Sequence, residues 1–260
     1  MIDLNIDVER IKENVDVPLH IKYKDVTTST NEDVKSLLQD GLHGNIVVIA
    51  KEQNCGRGRI GHKFSSPRGG IYLSLNVDIT NVIKDKISLL TPIAAIATNR
   101  AIKSALDVKT DIKWINDLYK NGKKICGILA EANVENNDIK SVIIGIGIDY
   151  AIDVNSIEEE YKDVVGSLLD FDSNIDRANE LIIALINNIY CLVNNLPNVS
   201  FLDEYRVNCI TIGKEISFYI NNEKRYAKAK NVLNDGTLEV EENGKCYAIN
   251  AGEVSIVRNK

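Results

Sequence analysis

The chain has 260 residues, 44% of them hydrophobic, and a formal net charge of −6. That is enough apolar material for one large domain, or for a medium domain plus a small one. The acidic balance argues against a broad nucleic-acid footprint, which needs a strongly basic face. Five cysteines stand at wide spacing without a CxxC pair. They read as free thiols in a reducing compartment rather than as a zinc site or a disulfide framework.

Residues 1–12 are charged and lack the apolar core of a signal peptide. No apolar run nears the roughly 20 residues that span a bilayer, so a cytoplasmic protein without a membrane partner is expected. Residues 1–19 have weak helical character and no room for the three helices of a DNA-binding helix-turn-helix domain. His20–Asp25 alternates as a strand. Ser29 and Glu32 have capping-box spacing and open a helix whose apolar face is Val34, Leu37 and Leu38. Ile46–Lys51 is a buried strand, and Ile71–Val77 is the next. Ile87–Leu106 is a helix that starts near Thr91, because Pro92 is tolerated only in a first turn. A short strand, Asp111–Trp114, precedes the segments Leu118–Lys120 and Lys124–Glu131, which flank the type I′ hairpin signal Asn121-Gly122. Val142–Ile148 is an apolar strand carrying Gly145 and Gly147, and Arg177–Leu196 and Phe201–Asn208 are helices. After Ile210 the texture changes. Short alternating segments at Glu215–Ile220, Arg225–Val232, Thr237–Val240 and Lys245–Ile249 are separated by turn residues at 221–222, 234–236 and 242–244. This spacing predicts a small β-barrel or sandwich and a boundary near 209–213.

Between the strands at 46–51 and 71–77 lies the most unusual segment. Gly56–Gly70 holds five glycines, and Lys51–Gly70 holds five Lys/Arg against one acid, Glu52. Tandem backbone N–H groups in such a turn suit phosphate oxygens. The spacing fits neither a Walker A loop nor a dinucleotide fingerprint, and a plain basic surface loop is the alternative. Lys113-Trp114-Ile115-Asn116-Asp117 offers a cation for phosphate and oxygens for Mg²⁺ or substrate. Its structural alternative is a polar turn anchored by the single tryptophan. Alternation puts Lys124, Cys126 and Ile128 on one face, so Lys124 is either a carboxylate binder on a pocket wall or a solvated strand-end lysine. Gln53 ends a buried strand with an amide that can act bidentately. Gly145 and Gly147 mark close backbone approach.

In order, Ser29-Thr30-Asn31, Gln53, Gly56-Arg57-Gly58-Arg59-Ile60-Gly61, Ser66-Pro67, Lys113-Trp114-Ile115-Asn116-Asp117, Lys124 with Gly127-Ile128-Leu129, and Gly145-Ile146-Gly147-Ile148 resemble the biotin protein ligase family. The resemblance runs from about Tyr23 to Arg258. It implies an α+β fold. Residues 1–209 would form a catalytic domain like that of class II aminoacyl-tRNA synthetases, with a mixed or antiparallel sheet and helices. Residues 210–260 would form an SH3-like β-barrel, with Ala251–Ile256 as its terminal strand. It further implies the monofunctional type, without an N-terminal DNA-binding domain.

The activity so implied has two steps. Biotin is activated by MgATP as biotinyl-5′-AMP, and the biotinyl group then passes to a lysine of a carboxylase's biotin carboxyl carrier domain. Attack of a carboxylate on a phosphate brings like charges together, so cations must neutralise both. The resemblance assigns catalysis to Lys124, Asp117, Arg59 and Lys113. Biotin would lie against Ser29, Thr30, Asn31, Gln53, Gly56, Arg57, Gly58, Lys124 and Gly127. The nucleotide would lie against Arg57, Arg59, Ile60, Gly61, Phe64, Lys113, Asn116, Gly145, Gly147 and Asp149, with Asp117 as the candidate Mg²⁺ ligand. The glycine-rich loop would close over the labile adenylate and exclude water. Four positions depart from the family pattern. His62 stands for arginine, Phe64 for tryptophan, Ile115 for proline and Asp149 for asparagine, the last adding a carboxylate beside the adenylate. The competing readings are a lipoate or octanoate ligase of the same superfamily and a biotin or nucleotide sensor that does not ligate. A homodimer through an exposed sheet edge is the expected alternative to a monomer.

Overall fold

Strands that are apolar on both faces build a central sheet with helices on either side. The computed structural model describes residues 4–79, 81–135, 137–171, 176–220, 223–250 and 254–257. It begins with α1 (Val8–Asn14), whose first turn is capped by the Asp7 carboxylate accepting from Arg10 N–H. β1 (His20–Thr27) and β2 (Ile46–Gln53) pair in parallel, joined by the crossover helix α2 (Thr30–Gln39). Then come β3 (Ile71–Asp78), α3 (Asn81–Lys84), α4 (Leu90–Leu106), β4 (Asp111–Lys113), β5 (Asp117–Lys120), β6 (Lys123–Glu135) and β7 (Asp138–Ile148). The sheet order is β1-β2-β3-β7-β6-β5-β4, antiparallel after the first pair. The mixed α+β class is as expected.

Alternation decides which layer covers which face. Ile46 and Val48 of β2 pack with Val34 of α2 and Ile143 of β7. Val47 and Ile49, one residue out of phase, join the main core instead. In β7, Val142, Ile144, Ile146 and Ile148 enter that core, which leaves Ile143, Gly145 and Gly147 on the α2 face. The core face is covered by α4 and by α5 (Ala178–Asn194). Leu181, Ile182, Leu185, Ile186 and Ile189 of α5 recur at i, i+3, i+4 spacing and are fully buried. Each contributes about 1.5–3 kcal/mol by burial. α4 is buried more widely than a single stripe because it lies between the sheet and α5, and the 3-10 turn Ile87–Leu89 precedes it.

α6 (Phe201–Asn208) leads to a second sheet of β8 (Glu215–Ile220), β9 (Glu223–Val232), β10 (Leu238–Glu242), β11 (Lys245–Ile249) and β12 (Ser255–Ile256). Its order is β11-β10-β9-β8-β12, and among the described residues the two edge strands are not paired, so the sheet is open there. The turn expected at 221–222 and the strand start expected at 251–253 lie outside the described residues. No described helix is long and apolar enough to cross a membrane.

Two local expectations are corrected. Ser29 occupies the N-cap position of α2 with extended backbone, but its side chain makes no cap hydrogen bond. Lys124 does not share a face with Cys126 and Ile128. The β5–β6 register shifts between Leu118 and Tyr119, so that Cys126 pairs with Leu118 and Lys124 with Tyr119. This one-residue bulge at Ile125 turns Lys124 over to the face of Gly127, while Cys126 and Ile128 stay in the core. Asn121 and Gly122 have φ of 51° and 77°, as a type I′ turn requires.

Candidate functional site

The face of the sheet beside α2 carries a cavity floored by strand residues of the second alternation phase. Gly127 and Gly147 lie opposite each other on β6 and β7, as do Leu129 and Gly145, and all four line the cavity. The glycines are required by close approach. A Cβ at Gly145 would collide with Asn31 Oδ1, and one at Gly147 would collide with the Phe64 ring. A Cβ at Gly127 would stand 2.8 Å from the same ring.

One end of the cavity is polar and uncharged. Ser29, Thr30 and Asn31 reach it from the start of α2, and Gln53 reaches it from the end of β2. Thr30 N–H donates to Gln53 Oε1 at 2.9 Å, and Gln53 Nε2 donates to Ser66 Oγ at 2.9 Å. The Ser29 hydroxyl, absent from the helix cap, lines the cavity.

The basic segment folds over this floor. Gln53 bridges Ser66, Arg57 bridges Lys63, and Arg59–Gly61 forms a 3-10 turn at the tip. Gly58 N–H donates to His62 O at 2.6 Å, and Phe64 N–H to Gly56 O at 2.9 Å. Phe64 thus lies on the Gly127–Gly147 floor, edge-on to Tyr72 and with Lys124 Nζ 5.9 Å from its ring centre. Arg57 pairs with Glu32 at 2.6 Å.

The rest of the lining is rich in basic side chains. Arg57, Arg59, His62, Lys63, Lys113 and Lys124 line the cavity, against one carboxylate among the described lining residues, Asp117. Lys124 Nζ lies 2.7 Å from Asp117 Oδ1, both side chains being largely buried. That oxygen is fully enclosed yet receives no well-directed hydrogen bond. Asn116 is held by two bonds to Ile128, and its Oδ1 accepts from Arg59 at 3.3 Å. Lys113 sits 6.0 Å from the Tyr119 ring centre. The Trp114–Ile115 peptide is cis. Among the described residues no group of three or more His, Cys, Asp or Glu could hold a metal ion. Asp117 with its undersatisfied oxygen suits a cation carried mainly by phosphate oxygens and water, the usual manner for Mg²⁺.

Most of the expected site residues come together, and among those described three do not line the cavity: Gly56, Gly61 and Asp149. Gly56 supports the loop from behind, where a Cβ would collide with Phe64 O. Gly61 takes φ 76° at the loop tip, and the Ile60 side chain lies outside the described set. Asp149 follows β7 directly and is 3% exposed. Burial pushes its carboxyl well above the usual range, opposed by the charge of Lys124. The carboxyl is enclosed and does not line the cavity. An acid with a raised folded-state pKa binds its proton more tightly in the native state. Stability is then lost as pH rises from the unfolded value of about 3.9 towards the folded one. Asp149→Asn removes that loss. We expect it to raise the melting temperature, more at pH 8 than at pH 5, and to leave the ATP dependence unchanged. Melting curves at several pH values check the first part and initial rates against ATP the second.

Sequence reasoning missed Ser74, Glu131, Tyr72 and Val254, and it named Ser66 only as part of a motif. Ser74 had a legible signal: Tyr72, Ser74 and Asn76 interrupt the apolar run of β3 at every second residue, which marks a polar face. Val254 lines the cavity from the chain's far end, a placement no local pattern predicts. A second cavity shares Arg59, Ile128 and Leu129 with the first and runs on to Ser88, Thr91 and the turn Asp235–Thr237.

Comparison with known proteins agrees with this geometry. A model described as the biotin/lipoate A/B protein ligase family matches residues 23–149. The chain is 31% identical over 243 residues to the bifunctional ligase/repressor BirA of Bacillus subtilis, covering 91% of this chain and 74% of that protein. It is 26% identical over 240 residues to the biotin–[acetyl-CoA-carboxylase] ligase of Mycobacterium tuberculosis, covering 89% of this chain and 87% of that one. The solved biotin protein ligase from Aquifex aeolicus, in complex with biotin and ATP, superposes with a TM-score of 0.75 at 22% identity. That match covers 92% of this chain and 99% of the other, and it shows a shared fold.

Proposed function

The chain belongs to the biotin/lipoate A/B protein ligase family, and we propose from that premise that it is an ATP-dependent biotin protein ligase. It activates biotin as biotinyl-5′-AMP and transfers the biotinyl group to one lysine of a biotin carboxyl carrier domain. The observation that carries this reading is a single cavity whose lining combines uncharged polar side chains with a set of basic ones. Ser29, Thr30 and Gln53 offer donors and acceptors but no charge, which suits a cyclic urea. Arg57, Arg59, Lys113 and Lys124 supply the charge that a carboxylate and a phosphate need when they meet. The M. tuberculosis relative is named for an acetyl-CoA carboxylase, and the acceptor here is read as a carrier domain of a biotin-dependent carboxylase.

The residues divide the work as follows. A biotin carboxylate oxygen attacks the α-phosphorus of ATP and pyrophosphate leaves. Lys124, at the foot of the cavity, neutralises the approaching oxygens of carboxylate and phosphate, and Asp117 holds its ammonium in place. Arg57, Arg59 and Lys113 bind the phosphates and stabilise the departing pyrophosphate. Mg²⁺, when bound, neutralises phosphate charge, with Asp117 as its candidate protein ligand. Phe64 and its loop exclude water from the anhydride. The carrier lysine's amine then attacks the acyl carbon, and AMP leaves with the bonding pair. Asn116, Gly145 and Gly147 shape the nucleotide side. We read residues 1–209 as the catalytic unit and residues 210–260 as a small SH3-like module, its sheet open among the described residues, that buttresses it.

The test is direct. The protein, biotin, MgATP and a carrier domain are incubated together, and the carrier should gain one biotinyl group on one lysine. Tight biotin binding without transfer would favour a sensor, and preferential transfer of lipoyl or octanoyl groups would move the chain to that branch of the family.

A further inference from the structure

Strands β4, β5 and β6 present one mixed patch on the cavity face of the sheet. Ile112 and Leu118 are fully buried in the core, so Lys113, Asp117 and Tyr119, one residue out of phase, lie on the opposite face. The bulge at Ile125 brings Lys124 of β6 to that face as well. In register, Lys113 stands opposite Asp117, and Lys124 stands opposite Tyr119. The close contacts run along the diagonals instead. Lys124 Nζ lies 2.7 Å from Asp117 Oδ1, while Lys113 Nζ lies over the Tyr119 ring, 6.0 Å from its centre. Each lysine has met the residue that stands opposite the other. Opposite charges facing each other on neighbouring strands attract, and diagonal neighbours are also within reach of a long side chain. One carboxylate is therefore accessible to two ammonium groups, and the aromatic face gives the second of them a different seat. Lys113, Asp117 and Lys124 line the cavity, whereas Tyr119 is half-buried and does not.

We propose that Tyr119 is a positioning residue for the nucleotide step: its ring takes Lys113, which leaves Asp117 to Lys124 and keeps the Lys113 ammonium available to phosphate. The proposal rests on the biotin-ligase reading, in which Lys113 meets the phosphates of ATP. A ring suits this task better than a second carboxylate. It orients the ammonium without cancelling its charge, and that charge is what the phosphates require. With an aliphatic side chain at 119, the Lys113 ammonium loses the ring and turns to the carboxylate opposite it, away from the nucleotide. Tyr119 touches no reacting atom and acts through Lys113.

The experiment measures biotinyl-AMP formation by the full chain, with ATP and biotin varied in turn. It compares wild type, Tyr119→Leu, Tyr119→Phe, Lys113→Ala and the double variant Lys113→Ala/Tyr119→Leu. Tyr119→Leu should lower kcat/KM for ATP about fivefold, the scale of one partly desolvated cation–π contact, and leave the biotin KM within about twofold. Tyr119→Phe keeps the ring face and should stay within about twofold of wild type for both substrates. With Lys113 already removed, Tyr119→Leu should cost less than about twofold more, because residues that act through one another are not additive. A merely structural tyrosine would cost as much with Lys113 absent as with it present. Wild-type kinetics in Tyr119→Leu, an equal loss in Tyr119→Phe, or the full loss persisting in the double variant would each overturn the inference alone. Should Tyr119→Leu not fold, Tyr119→Met serves in its place. Wild-type protein that forms no biotinyl-AMP overturns the ligand reading and this inference with it.

Discussion

Lys124→Ala should lower the rate of adenylate formation by about 10²–10³-fold, the range for removing one preorganised charge-stabilising donor. The ammonium lines the cavity beside Gly127 and 2.7 Å from Asp117. The two loop arginines are committed elsewhere, Arg57 to Glu32 and Arg59 to Asn116. The loss should appear in kcat and kcat/KM together, because the charge it opposes is greatest in the transition state. Asp117→Asn leaves the ammonium present but removes its orienting partner, and a smaller loss of about tenfold is expected. Pyrophosphate release in a single turnover measures both. Adenylation within about tenfold of wild type in Lys124→Ala would remove the lysine from the mechanism.

Trp114→Ala should cost about 3–5 kcal/mol of folding stability, the usual range for truncating a buried aromatic. Trp114 is 3% exposed and belongs to the core shared by the two sheets. Its indole N–H donates to Gly236 O at 3.0 Å, and its backbone N–H donates to Thr211 Oγ1 at 3.0 Å. Tyr205 holds the next carbonyl, that of Ile115, at 3.2 Å. The Asp235-Gly236 turn is in turn seated on Ser88 and Pro92. The alanine variant opens a void and orphans the Gly236 carbonyl, whereas Trp114→Phe keeps most of the packing and should lose about 1–3 kcal/mol. Denaturant unfolding separates the two. A cost below about 1 kcal/mol for Trp114→Ala would show that the C-terminal sheet does not brace the Lys113–Asp117 segment.

Trp114 also shows how its two sequence readings coexist. A substrate-binding segment and a structural anchor were alternatives from the sequence, yet Trp114 lines the cavity while its indole N–H ties down the second sheet. Lys124 was singled out for sound chemical reasons but placed on the wrong face. A bulge depends on how one strand registers against its neighbour, and that information is not in the strand itself. Asp149 was expected beside the nucleotide as a charge. Its burial just after β7, a tertiary property, pushes its carboxyl well above the usual range and takes it off the cavity wall.

Strand and helix periodicity, the turn chemistry of Asn121-Gly122 and the order of polar motifs are local properties. They are written in side-chain spacing, so the elements could be read directly from the chain, while the mixed α+β class and the site residue sets came with the family resemblance that the motifs carry. Which face each set occupies, which glycine meets which ring, and which direction each buried hydroxyl donates depend on contacts between residues far apart in sequence. Asn31 and Glu131 are one hundred positions apart, and Trp114 and Gly236 are more distant still. Only the packed fold brings such pairs within hydrogen-bond reach, because register, bulges and burial are set by all the strands together.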